Sequence, residues 1–127
     1  MVRNVSERHD SLWWVAAPPG VWAAHFVLSY ATAAVWCAKA GPDASLLVAR
    51  AAIGVYTALG LVAVAGVARR GLAQYRSLPR EAAEAEDLDS SEVRHHFLGF
   101  TLVALSALSA LAISFGAMAA VFIGSCR

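Results

Sequence analysis

Three long stretches of the chain carry no charged side chain: residues 12–38, 51–68 and 97–126, of 27, 18 and 30 residues. Uncharged apolar runs of about 18 or more residues are membrane spans rather than core helices. The pattern therefore predicts an all-α membrane protein forming a single membrane domain, residues 1–127. Its three transmembrane helices cover about 12–38, 44–68 and 93–123, with a short charged cytoplasmic loop, 69–92, between helices 2 and 3. At about 1.5 Å per residue the first run would be ~40 Å long, more than the ~30 Å hydrocarbon core requires. Pro18-Pro19-Gly20 offers a natural division. Trp13 and Trp14 then lie in an interfacial segment and the membrane helix starts at Pro19, where a missing N–H is harmless. The competing expectation is one helix from Leu12, kinked at the prolines.

Gly41-Pro42-Asp43 predicts a turn, with Asp43 or Ser45 capping the second helix, which is expected to stop at Arg69-Arg70. Within the loop, residues 80–86 favour a short solvated helix, and Asp89-Ser90-Ser91-Glu92 supplies capping chemistry for the third span. Ala38-Lys39-Ala40 has the small-x-small form of a cleavage site, but the apolar run before it is far longer than a signal-peptide core.

Composition agrees with the pattern and narrows the function classes. The chain is 59% hydrophobic and 15% charged, with a mean hydropathy of +0.59 and a net charge of +1. That balance excludes a soluble enzyme, and it provides no field for a nucleic-acid partner. Charge also orients the spans, because basic residues concentrate on the cytoplasmic side. Arg3, Arg8, Arg69, Arg70, Arg76, Arg80 and Arg94 share one side, seven in all; Lys39, Arg127 and Arg50 make at most three on the other. The expectation is a bacterial inner-membrane protein with a cytoplasmic N-terminus and a periplasmic C-terminus.

This topology puts Cys37, at the end of span 1, and Cys126, at the end of span 3, on the same outer face. An oxidising compartment favours a disulfide there. The alternative is two unrelated small apolar residues at helix ends. In water a bridge closing a loop near 100 residues is worth about 4–5 kcal/mol, and a membrane-inserted chain, already restricted, gains less.

His25 falls near the bilayer midplane, where an ionisable side chain faces the bundle or a cavity. At helical spacing it shares a seam of span 1 with Trp22, Ser29, Thr32 and Trp36. Tyr56 and Thr57 in span 2, and Ser106, Ser109 and Ser114 in span 3, lie at comparable depth. A neutral imidazole bonded to such hydroxyls would join helices. The sharper cofactor alternative is a haem b held between His25 and His95 or His96, or a quinone at His25. Depth opposes the haem: with the cysteines level, the two histidine positions differ by ~27 Å along the helices. Arg50, inside span 2 but near its outer end, is expected to snorkel to the interface, or else to pair with Asp43 or a partner's carboxylate. Ser106, Ser109, Ile113, Gly116 and Ala120 keep a spacing that permits close helix packing. The acids of 81–89 lack the spacing of a calcium loop. No nucleophile, phosphate-binding or metal motif is present, so neither catalysis nor a resident metal is expected.

Two segments carry a resemblance. Pro19-Gly20-Val21-Trp22-Ala23-Ala24-His25-Phe26, followed by Tyr30 and Cys37, is one; His96-Phe97-Leu98-Gly99-Phe100, leading into a Ser/Ala/Leu helix that closes on Cys126, is the other. Together they resemble small three-span membrane proteins encoded in proteobacterial haem–copper (cytochrome c) oxidase gene clusters, a family with no assigned activity. The resemblance covers spans 1 and 3, and the loop after Gly71 lies outside it. It implies an accessory subunit or assembly helper of a terminal oxidase, with larger membrane subunits as partners and His25, Cys37 and Cys126 as the residues to watch. The alternatives are a redox protein holding haem or quinone at His25, and a membrane-anchored regulator acting through residues 71–94.

Overall fold

A computed structural model describes residues 2–76 and 91–126, with side chains described over 12–76 and 96–126. The described residues form three helices and no strand: α1 Val2–Ala40, α2 Leu47–Arg76 and α3 Ser91–Phe122. Each is long and apolar enough to cross a membrane. The expected loop helix at 80–86, the acids of 81–89 and the capping side chains at 89–92 lie outside what is described.

Two expectations about helix ends need correction. First, α1 is one continuous helix through Pro18 and Pro19 rather than a helix that begins at Pro19. Two prolines remove only the N–H groups that would meet the carbonyls of Trp14 and Val15, and their fixed φ is already helical. Breaking the helix would strip more backbone bonds in a medium with no water to replace them. Pro18 is among the most fully buried side chains, so the ring also packs. Second, α2 does not stop at Arg69-Arg70 but continues to Arg76. Arginines at the end of a span can extend along the helix toward water without ending it.

The α1–α2 connection follows its turn chemistry. Gly41 takes φ of 84°, the left-handed conformation that closes a helix and that other residues resist. The Ala44 N–H then bonds the Gly41 carbonyl at 3.4 Å. Ser45 caps α2, its hydroxyl accepting from the Leu47 N–H at 3.3 Å.

The bundle is inverted relative to a soluble protein. Leu59, Val62, Phe97, Phe100, Phe115 and Phe122 face outward, while His25, Ser106 and Ser109 are buried among Ala49, Ile53, Val64, Val67, Leu102 and Ile113. Water would penalise that arrangement and a hydrocarbon solvent does not, since lipid tails satisfy large apolar side chains and small residues let helices approach. The surroundings are a lipid bilayer.

The most extensive interface is between α2 and α3. Its tightest point is Gly71 against Gly99: a Cβ on Gly71 would lie 3.0 Å from the Gly99 carbonyl oxygen and 2.8 Å from Leu102 Cβ. Higher in the bundle, a Cβ on Gly60 would meet Ile113 at 3.4 Å and Val21 at 3.7 Å, so all three helices share that level.

Candidate functional site

Polar contacts between helices fall at three levels. At the first, the ends of all three helices converge. Cys37 and Cys126 form a disulfide, S–S 2.04 Å and Cα–Cα 5.5 Å, across 89 positions of sequence. Beside it the Trp36 indole N–H donates to the Ser45 carbonyl at 3.1 Å, joining the end of α1 to the start of α2. Arg50 is exposed, and one guanidinium nitrogen donates to the carbonyls of Val121 at 3.2 Å and Ile123 at 2.7 Å. A helix ends with carbonyls that have no intrahelical partner and with partial negative charge. Arg50 satisfies both at the end of α3, a role that linear spacing alone does not disclose, because its partners are 71 and 73 residues away.

The second level is mid-span. His25 is 4% exposed, and its Nε2 lies 3.0 Å from Thr57 Oγ1. Thr57 Oγ1 is also 2.7 Å from the Ile53 carbonyl oxygen, which can only accept. A hydroxyl has one proton. With that proton donated to Ile53, the imidazole donates from Nε2, and a neutral ring then keeps Nδ1 as an acceptor. The Nδ1 edge faces Gly116 of α3: a Cβ there would lie 3.7 Å from Cε1 and 3.9 Å from Nδ1. The ring is thus clamped between α2 and α3, and Gly116 is the small residue that admits it.

The other seam residues divide. Ser106 and Ser109 are buried, and Ser29, Thr32 and Tyr56 are half-buried. The hydroxyls of Ser29 and Ser106 are buried without a partner. Ser114 does not belong to the seam: it is exposed and donates to the Ala110 carbonyl of its own helix at 2.8 Å. Its depth matches the seam, but five residues at about 100° each put it roughly 140° around the helix from Ser109. Trp22 also turns outward, 41% exposed, with its ring centroid 6.4 Å from that of Phe26.

The third level is the opposite end of the bundle. There the Arg70 guanidinium carbon lies 4.2 Å from the Trp14 ring centroid, a cation–π contact between α2 and α1. Tyr75 of α2 stacks on His96 of α3, centroids 4.2 Å apart.

These positions decide the haem geometry. His25 contacts the level of Gly116, and His96 lies 20 residues away along the same helix, or about 30 Å. The helical position of His95 adjoins it. No single iron spans that distance, and both His25 nitrogens already face protein, so a bis-His haem does not fit.

No family model, curated protein or solved structure matches the chain.

Proposed function

We propose that this chain is a non-catalytic three-helix membrane protein that docks sideways on larger membrane subunits, as an accessory subunit or assembly helper of a bacterial terminal (cytochrome c) oxidase. The observation that carries the docking is the outer face of α1. Only 6% of its most apolar stretch is buried, against 22% for α2 and 28% for α3. Yet α1 is fastened at both ends and at the centre, so it is held in a defined pose. Trp22 and Tyr30 are 41% and 71% exposed on it, within about 4–8 Å of the His25 level along the helix axis. Lipid-facing Trp and Tyr concentrate at the headgroup interface, where their polar tips find water. An indole N–H and a phenol pointing outward at mid-membrane depth call for acceptors on a neighbouring protein.

The oxidase as partner is supported by the resemblance, whose motif contains Trp22, His25, Tyr30 and both cysteines. The seven-to-three distribution of basic residues supports a cytoplasmic N-terminus in the inner membrane, which puts the disulfide in the oxidising periplasm. The test is to purify the tagged protein from its native membrane in mild detergent and record a reduced-minus-oxidised visible spectrum with subunit analysis. Co-eluting oxidase subunits and their haem bands are expected, and Trp22→Leu with Tyr30→Phe should weaken co-elution while leaving the disulfide intact. A colourless protein without partner subunits, or a lone b-type band at one haem per chain, would contradict the proposal.

A further inference from the structure

The end of the bundle remote from the disulfide gathers Trp14, Arg69, Arg70, Tyr75, Arg76 and His96 from three helices. Depth places it. Arg50 and Arg70 are 20 residues apart on one continuous helix, about 30 Å, which equals the hydrocarbon thickness. Since Arg50 sits with the helix ends at one boundary, Arg69 and Arg70 stand at the other, level with lipid phosphates.

Charge and geometry are also suited to a phosphate. Arg69, Arg70 and Arg76 are all exposed. Among the residues whose side chains are described, the one carboxylate, Asp43, lies at the opposite end. The Trp14 ring, 4.2 Å from the Arg70 guanidinium carbon, restrains that side chain through a cation–π contact while it stays exposed and able to donate. A planar fork of donors matches the oxygens of a phosphodiester, and pre-ordering it reduces the entropy lost on binding. Arg69 is adjacent, and Arg76 is seven residues further, two turns along the same face. The Gly71–Gly99 contact and the Tyr75–His96 stack fix the α2–α3 pair beneath these side chains.

We infer that Arg69, Arg70 and Arg76, with Trp14 as the platform for Arg70, form a binding site for the headgroup of an anionic phospholipid. The site requires negative charge on the lipid, because a zwitterionic headgroup presents its own ammonium to the same arginines.

The experiment is native mass spectrometry of the full-length, disulfide-bonded protein from micelles containing either phosphatidylglycerol or phosphatidylcholine. Each arginine near a membrane surface favours an anionic lipid by about fivefold. Phosphatidylglycerol should therefore be retained at least about tenfold more tightly, and Arg69→Gln with Arg70→Gln should remove most of that preference. Trp14→Leu keeps every charge and should lower the preference about two- to threefold by releasing Arg70. Resistance of Cys37 and Cys126 to alkylation without reductant verifies that each variant is folded, and Trp14→Leu remains decisive where the double variant fails that check. Equal retention of the two lipids, or an unchanged preference in the folded variants, would overturn the inference. So would a preference that emerges only after Glu81, Glu84, Glu86, Asp87, Asp89 and Glu92 are replaced by Gln or Asn, because the arginines would then be serving the chain's own acidic segment.

Discussion

Between α2 and α3, a single methyl group has nowhere to go: a Cβ on Gly99 would sit 2.8 Å from the Gly71 carbonyl oxygen and 3.0 Å from the Tyr75 amide nitrogen. Between α1 and the same pair, the corresponding glycine is Gly116, where a Cβ would lie a comfortable 3.7 Å from the His25 ring. The two attachments differ in kind. Helices α2 and α3 are joined by shape along their length, backbone close to backbone. Helix α1 is joined at points: a disulfide, an indole–carbonyl bond, a histidine–threonine bond and a cation–π contact. In lipid there is little hydrophobic force to press a helix inward, so association depends on close packing or on specific polar and covalent links. In this bundle close packing dominates between α2 and α3, with Arg50 adding a polar link at one end, and specific links dominate for α1.

That contrast can be broken or sharpened by substitution. The largest effect is expected at the glycine contact. Gly99→Val forces the α2 and α3 backbones apart and should cost about 2–3 kcal/mol or more, as overpacking of a tight core does, read as a lower midpoint in detergent unfolding. Gly116→Ala, at ordinary contact distance, should be near neutral by the same measurement; equal costs at both glycines would erase the distinction. Removing the disulfide with Cys37→Ser and Cys126→Ser should cost about 2 kcal/mol, below the aqueous value because the inserted chain has less entropy to lose. The loss should show as separation of α1 while α2–α3 cross-linking persists.

Smaller effects follow. His25→Leu removes the mid-span hydrogen bond between α1 and α2 and should cost about 0.6–1.7 kcal/mol, the range of interhelical polar contacts in membranes. Thr57→Ala should cost no more, and the double variant should be less than additive if the two side chains bond to one another. Smallest of all is Ser114→Ala, whose hydroxyl returns to its own helix at the exposed surface. It should change stability by less than about 0.5 kcal/mol, whereas a large loss would mean that Ser114 faces a neighbour.

These outcomes bear on how much of the molecule can be read from the chain alone. The three spans are legible because an uncharged run of that length has one stable solution in water-and-lipid surroundings. The level placement of Cys37 and Cys126 follows from counting crossings, and the depth of His25 from counting residues. What depth cannot provide is the face. Ser114 matches His25 in depth as well as several true neighbours do, and only its angular position excludes it. The Gly71–Gly99 contact is hidden for another reason: Gly71 follows two arginines that mark the end of the apolar run, so it falls outside the expected span. Helix α2 nevertheless continues to Arg76 and carries Gly71 into the interface. The path of α1 through Pro18-Pro19 inverts the usual expectation for a proline pair, because the bilayer raises the cost of a broken helix. The carbonyl partners of Arg50 require the third helix to be in place before they exist.

The central claim is that α1 is fastened at points to a pair that is stable without it. Electron-spin distance measurements on labelled full-length protein test it most directly, with one label pair across α1 and α2 and another across α2 and α3. In the variant lacking Cys37, Cys126 and the His25 imidazole, a broadened or lengthened α1–α2 distribution is expected beside an unchanged, narrow α2–α3 distribution. If both distributions broadened together, or neither changed, α1 would not be a helix fastened at points to an independently stable pair.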